Sequence, residues 1–73
     1  MDILSSLQIG QRAEIGKINV KHAKKIKLLG LGINTGAHIS ILRNRGGDMV
    51  LALGNARVSL GRTLSNLIEV RSL

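Results

Sequence analysis

Leu28-Leu29-Gly30-Leu31-Gly32-Ile33-Asn34-Thr35-Gly36 runs into Ala37-His38-Ile39-Ser40-Ile41-Leu42-Arg43. After Asn44-Arg45-Gly46-Gly47-Asp48 the chain continues Met49-Val50-Leu51-Ala52-Leu53-Gly54-Asn55-Ala56-Arg57-Val58-Ser59-Leu60-Gly61-Arg62. This stretch decides the fold. It reads as a helix end, a glycine-bounded turn and three short strands joined by tight turns. In Ala37–Arg43, Ile39 and Ile41 share a face with Ala37, opposite His38, Ser40 and Leu42. In Met49–Leu53 the set Met49, Leu51, Leu53 opposes Val50 and Ala52. In Ala56–Leu60 the set Ala56, Val58, Leu60 opposes Arg57 and Ser59, the alternation of strands with one face in a core. Gly54-Asn55 leaves two residues between strands, and a glycine in the first central position suits a type II′ hairpin. Arg45-Gly46-Gly47-Asp48 reads as a longer, looser hairpin.

Working outward, Leu4, Leu7 and Ile9 form an apolar lead-in that closes on a turn at Gly10. Gln11–Ile18 alternates, with Ala13 and Ile15 against Arg12 and Glu14, so it is expected to be a half-buried strand bent by a bulge at Gly16. Asn19 is the expected N-cap of a helix over Val20–Gly30. Ala23, Ile26 and Leu29 recur every three residues and are expected to face the sheet, with Leu28 and Leu31 widening the stripe. Gly32 and Gly36 bound the loop that follows. Thr63–Asn66 suggests one helical turn, and Ile68–Val70 a final strand. Five short strands with one short helix between the first two make a mainly β, partly open barrel. Its turns are expected at Gly10, Gly32, Gly36, Gly47 and Gly54.

Composition narrows what such a barrel can do. Seventy-three residues make one domain, near the lower limit for a single core. With no Cys, neither a disulfide nor a thiolate metal site can reinforce it. The core must come from 12 Leu, 9 Ile, 4 Val, 5 Ala and 2 Met, because the chain has no aromatic residue. Stability is expected to be modest, and weak self-association or a partner to add to it. No signal peptide is expected, because the first residues carry Asp2 and no basic n-region. The longest stretch free of charge, Leu28–Leu42, has 15 residues and is broken by Gly, Asn, Thr and His. A membrane-spanning helix needs about 20 apolar residues. These features point to the cytosol.

Charge is the strongest chemical signal: 11 Lys and Arg against 4 acidic residues, a net +7. All five lysines (Lys17, Lys21, Lys24, Lys25, Lys27) lie within one 11-residue segment. On a helix, Lys21, Lys24 and Lys25 at i, i+3 and i+4 form one cationic face. That face is open to four readings: a solvated surface, an acidic partner, an anionic membrane or a phosphate backbone. Nucleic acid is disfavoured, because small-barrel binders of single strands stack bases on aromatic rings.

His22 and His38 are 16 residues apart in different elements, without the paired histidines and carboxylate that side-chain iron sites use. No metal site and no cofactor are expected. Gly30-x-Gly32-x-x-x-Gly36 follows a helix instead of opening one, so it is no dinucleotide loop. Ser59 and Ser65 lack a nucleophile elbow, and the four scattered acids offer no acid–base pair. No enzymatic activity is expected.

From Leu7 to Val70 the chain resembles the ferrous iron transport protein A (FeoA) family of small SH3-like proteins. The resemblance is carried by Leu7-x-x-Gly10, by Leu28-x-x-Leu31-Gly32-Ile33-Asn34-Thr35-Gly36, by Gly47-Asp48, by Ala56-x-Val58-x-Leu60-x-Arg62 and by Ile68-x-Val70. Thr35 stands where the family usually has proline. The resemblance implies an SH3-like barrel and a cytoplasmic accessory role in bacterial ferrous-iron uptake. The implied partner is the cytoplasmic part of a ferrous-iron permease, which would place the protein at the inner face of the plasma membrane. The family is similar in turn to an SH3-like domain of metal-dependent transcription regulators, which leaves that reading open beside a small basic RNA-binding barrel. The expected partner-binding residues are Lys21, Lys24, Lys25, Gly32, Asn34, Thr35 and His38.

Overall fold

A computed structural model describes all residues, Met1–Leu73. Six antiparallel strands form one sheet: β1 (Asp2–Ile3), β2 (Arg12–Ile18), β3 (His38–Arg45), β4 (Asp48–Leu53), β5 (Ala56–Gly61) and β6 (Ile68–Ser72). Helix α1 (His22–Gly30) lies between β2 and β3, and the one-turn helix α2 (Arg62–Ser65) between β5 and β6. The sheet order is β1-β6-β2-β3-β4-β5, so the C-terminal strand is inserted beside β2 and the sheet curls into the expected mainly β barrel. The five expected strands are all present, most a residue or two longer. The sixth is the two-residue β1, which pairs Asp2 with Val70 and Ile3 with Glu69.

Inward alternation holds along the sheet. Ala13, Ile15, Ile18, Ile39, Ile41, Met49, Leu51, Val58, Leu60, Ile68 and Val70 are buried together, and Leu4, Leu7, Leu28 and Ile33 plug the remaining gaps. Ile9, assigned to the lead-in, is exposed, and so is Ala56 at the mouth of the last hairpin. The bulge expected at Gly16 is present, since the β2–β6 register skips it between Ile15 and Lys17. A Cβ at Gly16 would lie 2.0 Å from Met1 Cε and 3.3 Å from the Glu69 carbonyl oxygen, so the bulge also serves close approach. A second bulge, at Leu42, lets β3 twist past β4.

Two turns differ in kind. Arg45 pairs with Asp48, so Gly46-Gly47 is a tight two-residue turn and not the loose hairpin expected. Its left-handed residue is Gly46, at φ +65°, and not Gly47. At Gly54 (φ +60°) and Asn55, which is not left-handed, the geometry suits the expected type II′ turn.

Helix α1 departs most from expectation. It starts at His22, two residues later than expected, and Lys21 is the N-cap without a side-chain cap bond. Asn19 is engaged elsewhere: its amide donates to Glu69 Oε2 at 2.8 Å, and its backbone N–H to the Leu67 carbonyl at 2.8 Å. A side chain held by β6 cannot also cap the helix. Ala23, Ile26 and Leu29 are not packed into the core. Ile26 and Leu29 are 57% and 54% exposed, and Leu28 alone is buried, at 2%. The helix is pinned at its C-terminal end, where the Ile33 N–H donates to the Leu28 carbonyl and both side chains enter the core. That tether sets the rotation of α1, and Ile26 and Leu29 are left half exposed, outside the core.

Candidate interaction surface around helix α1

Because only Leu28 is packed into the core, α1 stands off the barrel with grooves along its flanks. One groove, of about 180 Å³, lies between α1 and the β2 end; Ile18, His22, Lys25, Ile26, Leu29, Ile33 and Asn34 line it. A second, of about 240 Å³, lies between α1 and β5, with Lys24, Lys27, Leu28 and Leu31 on one wall. Ser59, Leu60, Gly61 and Leu64 form its other wall. A third opens between the start of α1 and α2, where Lys21 and Lys24 face Thr63 and Leu67.

The expected single cationic face is therefore divided. Lys21 and Lys24, joined by Lys27, overlook the α2 and β5 side, whereas Lys25 turns with His22 toward β2. None of these lysines is in an ion pair; the one pair in the chain joins Arg71 and Glu14. Lys21 and Lys24 also sit near the positive end of the helix dipole, where a cation is disfavoured, and only Lys27 lies at the favourable end. Helix stability does not explain that placement.

The loop residues divide in the same way. Asn34 shares the first groove with Lys25, while its Oδ1 accepts the Thr35 N–H at 2.9 Å. Thr35 is exposed at the loop tip. Gly32 backs onto Leu53, whose Cδ2 would be 2.7 Å from an added Cβ. His38 belongs to the sheet, opposite Glu14 in the β2–β3 ladder. There, the Arg71 hydrogen bond and charge hold the Glu14 carboxyl below its usual range, with a smaller contribution from His38. Nowhere do three or more His, Asp or Glu side chains gather as a metal-binding group. No helix is long and apolar enough to cross a membrane. Sequence reasoning missed the β5 wall; Lys27 was the available signal, as the fourth lysine of the helix.

The model of the FeoA domain matches residues 3–72. The chain belongs to the FeoA family. That family is associated with iron transport. A Methanocaldococcus jannaschii protein named for Fe(2+) transport (protein A) is 26% identical over 61 residues, covering 84% of this chain and 74% of its own. The crystal structure of an iron uptake regulatory protein, FeoA, superimposes with a TM-score of 0.92 at 27% identity, over 99% of this chain and 97% of that one. The solution structure of iron(II) transport protein A from Clostridium thermocellum gives 0.91 at 31% identity, over 99% of this chain and 46% of that one. A manganese-dependent transcriptional repressor contains the same fold, with a TM-score of 0.90 at 23% identity over 41% of its length. The SH3-like barrel expected of this FeoA chain is thus the barrel it has.

Proposed function

We propose that this FeoA-family protein is a non-enzymatic accessory of ferrous-iron uptake that acts by contact with the cytoplasmic part of a ferrous-iron permease. The observation that carries the reading is α1: a helix held by one buried leucine, presenting four unpaired lysines around Ile26, Leu29 and Leu31, which are about half exposed. A cationic, partly apolar surface suits an acidic protein face. Beneath an anionic leaflet each lysine would add about 1 kcal/mol to membrane proximity. The names of its relatives, which specify iron(II) transport and iron uptake, support the link to iron uptake, and the permease as partner is what the family resemblance implies.

The test is Lys24→Glu combined with Lys25→Glu. Both side chains are exposed, so the fold should change by no more than about 0.5 kcal/mol. Co-purification with the permease and support of ferrous-iron uptake should both fall. The wild-type association should weaken as salt rises. A folded double variant with full co-purification and uptake would refute contact through this helix.

A further inference from the structure

The curled sheet leaves β5 as an edge. β5 pairs only with β4, and the phase of that ladder is set at both ends. The two-residue turn makes Leu53 and Ala56 a hydrogen-bonded pair. At the far end the Arg62 N–H donates to the Gly47 carbonyl at 2.8 Å, continuing the same alternation. Ala56, Val58 and Leu60 therefore spend their backbone groups on β4. The N–H and C=O of Arg57 and Ser59 point away from the sheet, with no backbone or side-chain partner. Natural sheets blunt such edges with proline, bulges or cover. β5 has neither proline nor a bulge, and α1 faces it across the groove without bonding to it.

We propose that this edge binds an extended segment of a partner protein by strand addition, and that the segment alternates aliphatic and acidic residues. A strand added beside β5 would lie about 4.8 Å from it and turn successive side chains to opposite faces. Those facing inward meet the apolar lining of the groove, Leu28 and Leu31 on one wall and Leu60 and Leu64 on the other. Those facing outward lie along Arg57, and the lysines Lys24 and Lys27 rim the opposite wall. No acidic residue lines the groove, so carboxylates on the incoming strand are unopposed. The same charges work against a second copy of this chain, since two molecules at net +7 would bring like rims together. The inference rests on the partner reading above for the source of the segment, and gives that partner a second contact, distinct from Lys25 and the loop.

The probe is a capped peptide of alternating valine and glutamate matched in length to β5, with a valine–lysine peptide as control. Amide exchange is read by NMR. Binding of the glutamate peptide should slow exchange at Arg57 and Ser59 about tenfold or more, and the lysine peptide should do nothing. Ser59→Pro removes an outward N–H that the β4 ladder does not use, and should weaken peptide binding about tenfold. Lys24→Glu with Lys27→Glu should weaken it too, without altering which amides the residual complex protects. Peptide binding without protection at Arg57 and Ser59, or no binding, overturns the proposal. So does protection of those amides by protein concentration alone, which would put a second copy on the edge. Should Ser59→Pro fail to fold, the wild-type exchange pattern still decides. Permease affinity unchanged in a folded Ser59→Pro variant removes the β5 edge and leaves the accessory role standing. Peptide protection without permease co-purification does the reverse.

Discussion

Gly36 closes the loop between α1 and β3, and its replacement by valine isolates one physical effect. Its φ is +92°, a left-handed value that side-chain-bearing residues rarely adopt. The backbone cannot easily move away from it. The Gly36 N–H donates to the Ile15 carbonyl, and the Ile15 N–H to the Ala37 carbonyl, both at 2.8 Å. A Cβ built there meets nothing within 4 Å, so steric contact with neighbours is not the obstacle. The cost is conformational, about 1–3 kcal/mol. A stiffer unfolded chain returns up to about 1 kcal/mol. The net loss of about 1–2 kcal/mol should lower the melting temperature by roughly 4–16 °C in a domain of this size. Thermal unfolding by circular dichroism reads it directly. Gly36→Asn should recover much of the loss, because asparagine tolerates left-handed geometry. Gly30→Ala is the opposite control: Gly30 is helical, not left-handed, and has open space around it. Alanine there should stabilise by up to about 1 kcal/mol. A Gly36→Val protein melting with wild type, or valine and asparagine variants melting together, would refute a backbone origin.

Leu28→Ala should cost about 2–5 kcal/mol, because Leu28 is the single side chain of α1 in the core. Amide exchange should show α1 losing protection before the sheet, and an unchanged helix would contradict the one-point tether. Asn44→Ala should cost about 2–4 kcal/mol in denaturant unfolding, from loss of three hydrogen bonds. Its amide donates to the carbonyls of Ser5 (3.0 Å) and Leu7 (2.6 Å), and its Oδ1 accepts from Arg62 at 2.6 Å. A loss under about 0.5 kcal/mol would show that water replaces the network. The Glu14 carboxyl is held low by Arg71, so its contribution is complete above the ordinary glutamate value of about 4.3 and fades as pH falls through its lowered folded value. NMR titration should find Glu14 below the ordinary value in wild type and near it in Arg71→Gln.

What could be read from the chain alone was local. Period-two alternation in Ala37–Arg43, Met49–Leu53 and Ala56–Leu60 marks strands because one residue of slip would turn their inward aliphatic side chains into water. The glycines at 32, 36 and 54 mark turns because the backbone there is left-handed, whatever lies nearby. The bulge at Gly16 was legible for another local reason, a glycine interrupting an alternating strand. Together these local signals bear the barrel and the family resemblance.

Tertiary structure decided what depends on partners distant in sequence. Asn19 looked like a helix cap until Glu69, 50 residues away, was brought beside it by the insertion of β6 next to β2. Ile26 and Leu29 looked like core because a three-residue spacing marks a stripe but not which side of it meets the sheet; the Leu28–Ile33 tether chose the other side. The groove between Lys24, Lys27 and the edge of β5 has no counterpart in the linear sequence. It arises because α1 touches the barrel at one point, and because a sheet of this order ends at β5, leaving the outward groups of Arg57 and Ser59 without a strand to bind.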